Sequence, residues 1–95
     1  MELTVTGERA GVTEEYVAER VQRLKRMFAS EPDISVRFDT DGGKVVAEVV
    51  VPIRGYRTLK ACSKGNDARD ALDRAVKKIE WKYKLFWTRG RTAAA

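Results

Sequence analysis

The sequence contains no histidine and only one cysteine, Cys62. Histidine is the commonest general base and the commonest metal ligand, so its absence removes the usual basis for acid–base catalysis and for a zinc site. Cys62 has no second thiol for an internal disulfide, which fits a reducing cytoplasm. It also has no imidazole to activate it as a nucleophile. We therefore expect a cytoplasmic protein that is not an enzyme and uses no metal or cofactor.

Long apolar runs and phosphate-binding loops are also absent from the sequence. No apolar run approaches the roughly 20 residues that cross a membrane. Gly42, Gly43 and Gly55 fit turns, because no Lys-Ser/Thr pair follows them as a phosphate-binding loop requires. We expect neither a membrane partner nor a small-molecule substrate. The 95 residues, 43% of them apolar, are enough for one domain with a single core.

The spacing of apolar residues predicts six elements in the order β-α-β-β-β-α. They are a strand ending at Gly7, a helix over about 13–29, strands over 34–39, 44–51 and 56–64, and a helix over about 67–87. The sequence Asp41-Gly42-Gly43 predicts a hairpin turn. The fold is thus α+β, with two helices packed on one face of a four-stranded sheet. This domain covers 1–87, and residues 88–95, which lack periodicity, are expected to form a flexible tail or linker remnant.

Positive charge is concentrated in the second half of the sequence. The first 53 residues hold seven basic and ten acidic residues, whereas the remaining 42 hold twelve basic and four acidic ones, a net charge of +8. Such asymmetry in a small domain favours a surface that binds a polyanion, although charge runs are often only solvated helix faces.

Four of these cations, Arg74, Lys77, Lys78 and Lys84, fall on the outward face of the second predicted helix. At about 100° per residue, Leu72, Ile79 and Tyr83 belong to its core stripe, and Trp81 lies opposite them among lysines. Trp81 would stack on a nucleobase while the lysines hold phosphates, or else it packs against the first helix or a second copy. The candidate RNA-binding residues are Lys25, Arg26, Lys60, Lys64, Arg74, Lys77, Lys78, Trp81, Lys82 and Lys84.

Five segments taken together carry a family resemblance. They are Met1–Gly7, Val12–Glu14, Lys25–Phe28, Ala47–Ile53 and Gly65–Ile79. In order, spacing and length they resemble the bacterial ribosome hibernation promoting factor family over about residues 1–87. The resemblance implies a β-α-β-β-β-α domain that binds rRNA of the small ribosomal subunit in the decoding channel, where messenger and tRNAs lie. It also implies inhibition of translation under stress or in stationary phase.

The resemblance also implies roles for particular residues. By position, Lys78 matches a family lysine that faces RNA, and Lys25 and Arg26 match the basic end of the first helix. Lys82 stands where the family has a glutamine, and Trp81 replaces a typically basic residue. Longer family members carry a C-terminal dimerisation domain that pairs ribosomes.

Two other interpretations remain open from the sequence. A double-stranded-RNA-binding domain has the order α-β-β-β-α, but it usually places lysines at the start of its last helix, where this chain has Asn66, Asp67 and Asp70. A structural dimerisation module would use Trp81 and Leu85 for self-association.

Overall fold

The computed structural model describes residues 3–7, 12–28, 32–53 and 57–94, without the side chains of Lys25 and of residues 86–94. The elements follow the predicted order. They are β1 Leu3–Gly7, α1 Glu14–Met27, β2 Ile34–Asp41, β3 Lys44–Pro52, β4 Thr58–Gly65 and α2 Ala68–Ala94. The α+β fold is therefore confirmed. Tyr56, the predicted start of the fourth strand, lies outside the described residues.

The four strands form one mixed sheet in which spatial order follows chain order, β1-β2-β3-β4. β1 is parallel to β2, because α1 carries the chain back between them, and the other two pairs are antiparallel. The β2–β3 hairpin closes at the Asp41–Lys44 pair. Gly42 and Gly43 have φ of 57° and 81°, the positive values that a tight hairpin turn requires. Because β4 is the last strand in this order, it pairs with β3 on one side and has a free edge on the other.

Both helices cover one face of the sheet. Along β4 the side chains alternate strictly, with Leu59, Ala61 and Ser63 buried and the residues between them exposed. The largest fully buried side chains include Leu24, Ile34, Leu72 and Ile79. Burial of each such side chain contributes about 1.5–3 kcal/mol to stability. The other face of the sheet is open to solvent.

The last helix is longer than the sequence predicted. α2 runs to Ala94, so residues 88–94, expected as a flexible tail, continue the helix. The chain has no proline after Pro52. Gly90 alone costs a helix only about 1 kcal/mol, and the alanines that follow it are the best helix formers. At 1.5 Å per residue the helix is about 40 Å long, which accounts for most of the 47 Å length of the molecule.

Candidate nucleic-acid interface

The start of α2 is fixed by a group of capping interactions. The Asp70 backbone N–H donates to Asp67 Oδ1 at 2.8 Å, so Asp67 is the N-cap. The Asp70 carboxylate accepts from the Asn66 backbone N–H at 3.2 Å and from Arg74 Nε at 3.0 Å. Arg74 and then the Asn66 amide lower the pKa of Asp70. This cap sets where the helix begins and therefore which residues face outward. It also leaves Arg74, a candidate RNA-binding residue, paired with a carboxylate.

One flank of α2 lies over the free edge of β4. Lys78 Nζ donates to the Cys62 carbonyl oxygen at 2.9 Å, and Lys82 Nζ donates to the Lys60 carbonyl oxygen at 2.6 Å. Both lysines are exposed. Edge strands present unpaired carbonyls, and these lysines cover two of them. The structure therefore brings Lys78, Lys82 and Lys60 together along one edge, which sequence spacing did not predict.

The outward face of α2 carries Trp81 and more lysines. Trp81 is 65% exposed and Leu85 38% exposed. Lys77 and Lys84 are exposed on the same face. The helical register predicted for Trp81 is thus confirmed, because most of its side chain faces solvent. Among the residues that the structure describes, no carboxylate pairs with Lys77 or with the Lys60 side chain. These lysines can therefore bind phosphates without first losing an ion pair.

Lys64 is placed differently, at the hairpin end of the open sheet face. Its Nζ lies 2.7 Å from Asp41 Oδ2. This contact lowers the pKa of Asp41 and raises that of Lys64, mainly through the shared hydrogen bond. Nearby, Arg37 lies 3.7 Å from Glu48. The open sheet face thus has mixed charge, and Lys64 would have to exchange Asp41 for a phosphate.

Two arginines of α1, Arg20 and Arg23, lie close to carboxylates of α2. Arg20 Nε donates to the Tyr16 hydroxyl at 3.1 Å and lies 3.2 Å from Asp73 Oδ1. The bond to Tyr16 is the main cause of the raised pKa of Arg20. The Arg69 guanidinium stacks 4.8 Å from the centre of the Tyr16 ring. This cluster joins the two helices, and the four-residue spacing of Tyr16 and Arg20 was its only sequence signal.

The remaining candidates on α1 are Arg26 and Lys25. Arg26 is exposed, whereas the Lys25 side chain lies outside the described residues. Arg23 lies 3.9 Å from Glu80 of α2. The dominant basic surface is accordingly the α2 flank and outward face together with the β4 edge. We call this the α2 basic surface, formed by Lys60, Arg74, Lys77, Lys78, Lys82 and Lys84 around Trp81.

A family model described as "Sigma 54 modulation protein / S30EA ribosomal protein" matches residues 5–84. The chain belongs to this family. The match runs from β1 through the part of α2 that carries the basic surface, and it confirms the family resemblance found in the sequence. The family consists of ribosome-associated modulation proteins and is not known as an enzyme family. The double-stranded-RNA-binding interpretation is not favoured.

Two solved structures share the fold. The N-terminal domain of Protein Y from Thermus thermophilus has a TM-score of 0.75 and 27% identity, covering 90% of this chain and 99% of that one. A ribosomal subunit interface protein from Coxiella burnetii has a TM-score of 0.70 at 17% identity, covering 93% of this chain and 99% of that one. No curated protein matches this chain significantly in sequence. No helix among the described residues is long and apolar enough to cross a membrane.

Proposed function

We propose that this chain binds the small ribosomal subunit in the decoding channel and inhibits translation in the cytoplasm under stress or in stationary phase. The observation that carries the proposal is the α2 basic surface, which presents at least five lysines on one side of the domain. Membership of a ribosome-associated family supports the ribosome as the polyanion. No reaction is needed for this activity, because a bound domain blocks messenger and tRNA by occupying their place.

The lysines of the α2 basic surface would contact rRNA phosphates. Phosphate contacts supply affinity and orientation without reading sequence, and the folded shape of the RNA supplies specificity. Lys60, Lys77, Lys78, Lys82 and Lys84 form the centre of the contact. Arg74 and Lys64 reach RNA only by exchanging Asp70 and Asp41 for a phosphate, so we assign them a smaller share. Lys25 and Arg26 would add a second contact from the first helix.

Co-sedimentation tests this proposal directly. The purified chain is spun with small subunits, with large subunits and with naked rRNA at equal phosphate concentration. We expect it to pellet with small subunits and to inhibit cell-free translation at the same protein concentrations. Equal binding to all three would show a nonspecific basic protein instead.

A second arm locates the site on the subunit. Small subunits loaded beforehand with messenger and tRNA are compared with empty ones. If the chain occupies the decoding channel, loaded subunits should bind it much more weakly. Equal binding to loaded and empty subunits would place the site elsewhere on the ribosome.

A further inference from the structure

Trp81 and Leu85 are the exposed large hydrophobic residues among the described part of the chain. They lie four residues apart on α2 and share its outward face. Trp81 is surrounded by cations, because Lys77 and Lys78 precede it by four and three residues and Lys84 follows it by three. An indole so exposed contributes little to the fold. Its environment, an apolar ring in a positive field, is that of a single-stranded nucleic-acid site.

Charge decides which partner covers this ring. A symmetric contact between two copies of α2 would bring their lysines together, and like charges across an interface oppose association. The patch is also small, since a large aromatic residue buries about 150–250 Å², whereas a stable interface needs about 800 Å² from each partner. A polyanion would be attracted to these lysines, whereas a second copy of α2 would be repelled by them. The acidic neighbours do not interfere, because Asp70 pairs with Arg74 and Glu80 lies near Arg23 of α1.

We propose that Trp81 stacks on an unpaired nucleobase of the RNA whose phosphates the surrounding lysines hold. The inference rests on the proposed function and adds a recognition element to it. Every base offers a face for stacking, but a base inside a continuous duplex has both faces covered by its neighbours. The α2 basic surface therefore prefers a loop, bulge or single strand to an A-form duplex of equal charge.

Stacking and phosphate binding have different salt signatures. Trp81 carries no charge and displaces no counterion, so its removal lowers affinity without changing the slope of log affinity against log salt. Each lysine that binds a phosphate contributes about 0.7–0.9 to that slope. Lys77, exposed on the same face one turn away, is the matched comparison.

The test measures small-subunit affinity at several salt concentrations for the parent and four variants. Trp81→Ala and Trp81→Leu should each bind about 5- to 150-fold more weakly with the parent's slope, because neither keeps an aromatic face. Trp81→Phe should retain most of the affinity. Lys77→Gln should make the slope shallower by about 0.7–0.9. Parental affinity in Trp81→Ala, or full rescue by Trp81→Leu, would overturn the stacking proposal and leave the proposed function standing.

A second measurement decides the case if the parent fails to bind small subunits, which would defeat the proposed function itself. Trp87→Phe leaves Trp81 as the single tryptophan. Its fluorescence should be quenched by a short single-stranded RNA and much less by a duplex with the same number of phosphates. Equal quenching by both, or none, would overturn stacking. Stacking would also be overturned if the parent protein sediments as a dimer at micromolar concentration and the Trp81→Ala variant sediments as a monomer.

Discussion

Trp81 and Ile79 lie two residues apart on α2 in opposite environments. Ile79 is fully buried against the sheet, whereas Trp81 is 65% exposed. Ile79→Ala should cost about 2–5 kcal/mol of the free energy of unfolding, because it leaves a cavity. Trp81→Ala should change that free energy by no more than about 0.5 kcal/mol, as exposed substitutions usually do. Urea unfolding of the two variants measures both. A loss of about 3–5 kcal/mol in Trp81→Ala would mean that the indole is buried in solution.

Side-chain orientation was predictable from sequence at this scale, but side-chain partners were not. A period of 3.6 residues places Trp81 opposite Ile79 without knowledge of the fold. Nothing in the spacing shows that Tyr16 meets Asp73, because 57 residues separate them and only the packing of two helices joins them. Likewise, the contact of Lys64 with Asp41 depends on strand order and register. The sequence therefore showed which residues are cationic, but not which cations already have a carboxylate partner.

At the scale of elements, the cap of α2 should make stability depend on pH in the acid range. Arg74 and the Asn66 amide lower the pKa of Asp70. A carboxyl whose pKa is lower in the folded state stabilises the fold when ionised, and this contribution is lost as the pH falls through the folded pKa. The ordinary value for aspartate is about 3.9. The parent should therefore be more stable than Asp70→Asn at pH 7.

The measurement is the melting temperature of both proteins from pH 7 to pH 2. The difference between them should shrink as the pH falls below about 4, where the Asp70 carboxyl begins to protonate in the unfolded chain, and it should be lost once the pH has fallen through the lower pKa of the folded state. Glu80→Gln, made in the same helix at a carboxylate whose contact with Arg23 is 3.9 Å long, controls for a general effect of losing one acid from α2. A difference that stays constant down to pH 2 would show that the charge of Asp70 has no role in the cap.

The flank of α2 over β4 should carry much of the RNA affinity. Lys78→Glu combined with Lys82→Glu reverses two charges that lie along the β4 edge, so binding to small subunits should weaken strongly. The fold should persist, because both side chains are exposed and each donates a single hydrogen bond to a strand carbonyl. Such a bond contributes about 0.5–1.5 kcal/mol net. Circular dichroism and co-sedimentation together report fold and binding.

The matched control is Lys44→Glu combined with Arg57→Glu. It makes the same change in net charge at two exposed positions outside α2. Its binding should fall much less than that of the Lys78/Lys82 variant. Comparable losses in the two double variants would indicate that net charge matters and the α2 flank does not. A folded Lys78/Lys82 variant that inhibits cell-free translation as well as the parent would remove this flank from the RNA-binding face.

Element existence and order followed from sequence pattern, whereas the end of the last helix did not. The spacing of apolar residues marked each strand and helix, and Asp41-Gly42-Gly43 marked the turn between β2 and β3. After residue 87 the apolar pattern ceases, but a helix continues wherever nothing stops it, and Gly90 alone is a weak stop. The sequence therefore placed the core-facing part of α2 correctly and missed the extension of the helix.

At the scale of the whole molecule, the order of the elements along the chain determines where the positive charges lie in space. The sheet order repeats the sequence order, and α2 packs on β3 and β4. The exposed lysines of β4 and α2 that the structure describes are therefore gathered along one side of the domain. A domain with a net charge of only +5 thus presents a strongly positive face. This arrangement would orient the molecule as it approaches RNA, which raises association rates.

The same arrangement predicts how binding to the ribosome responds to salt. If five or six cations of the α2 basic surface and the first helix each neutralise a phosphate, log affinity should fall with log salt with a slope of about −4 to −5. Affinity should then drop by several hundred-fold between about 50 and 200 mM salt. Lys78→Gln combined with Lys82→Gln should make the slope shallower by about 1.4–1.8, because two phosphate contacts are lost. Equilibrium titration of labelled protein with small subunits measures these slopes. An affinity that stays constant over this range would show that shape and apolar contact, rather than the positive face, hold the domain on its partner.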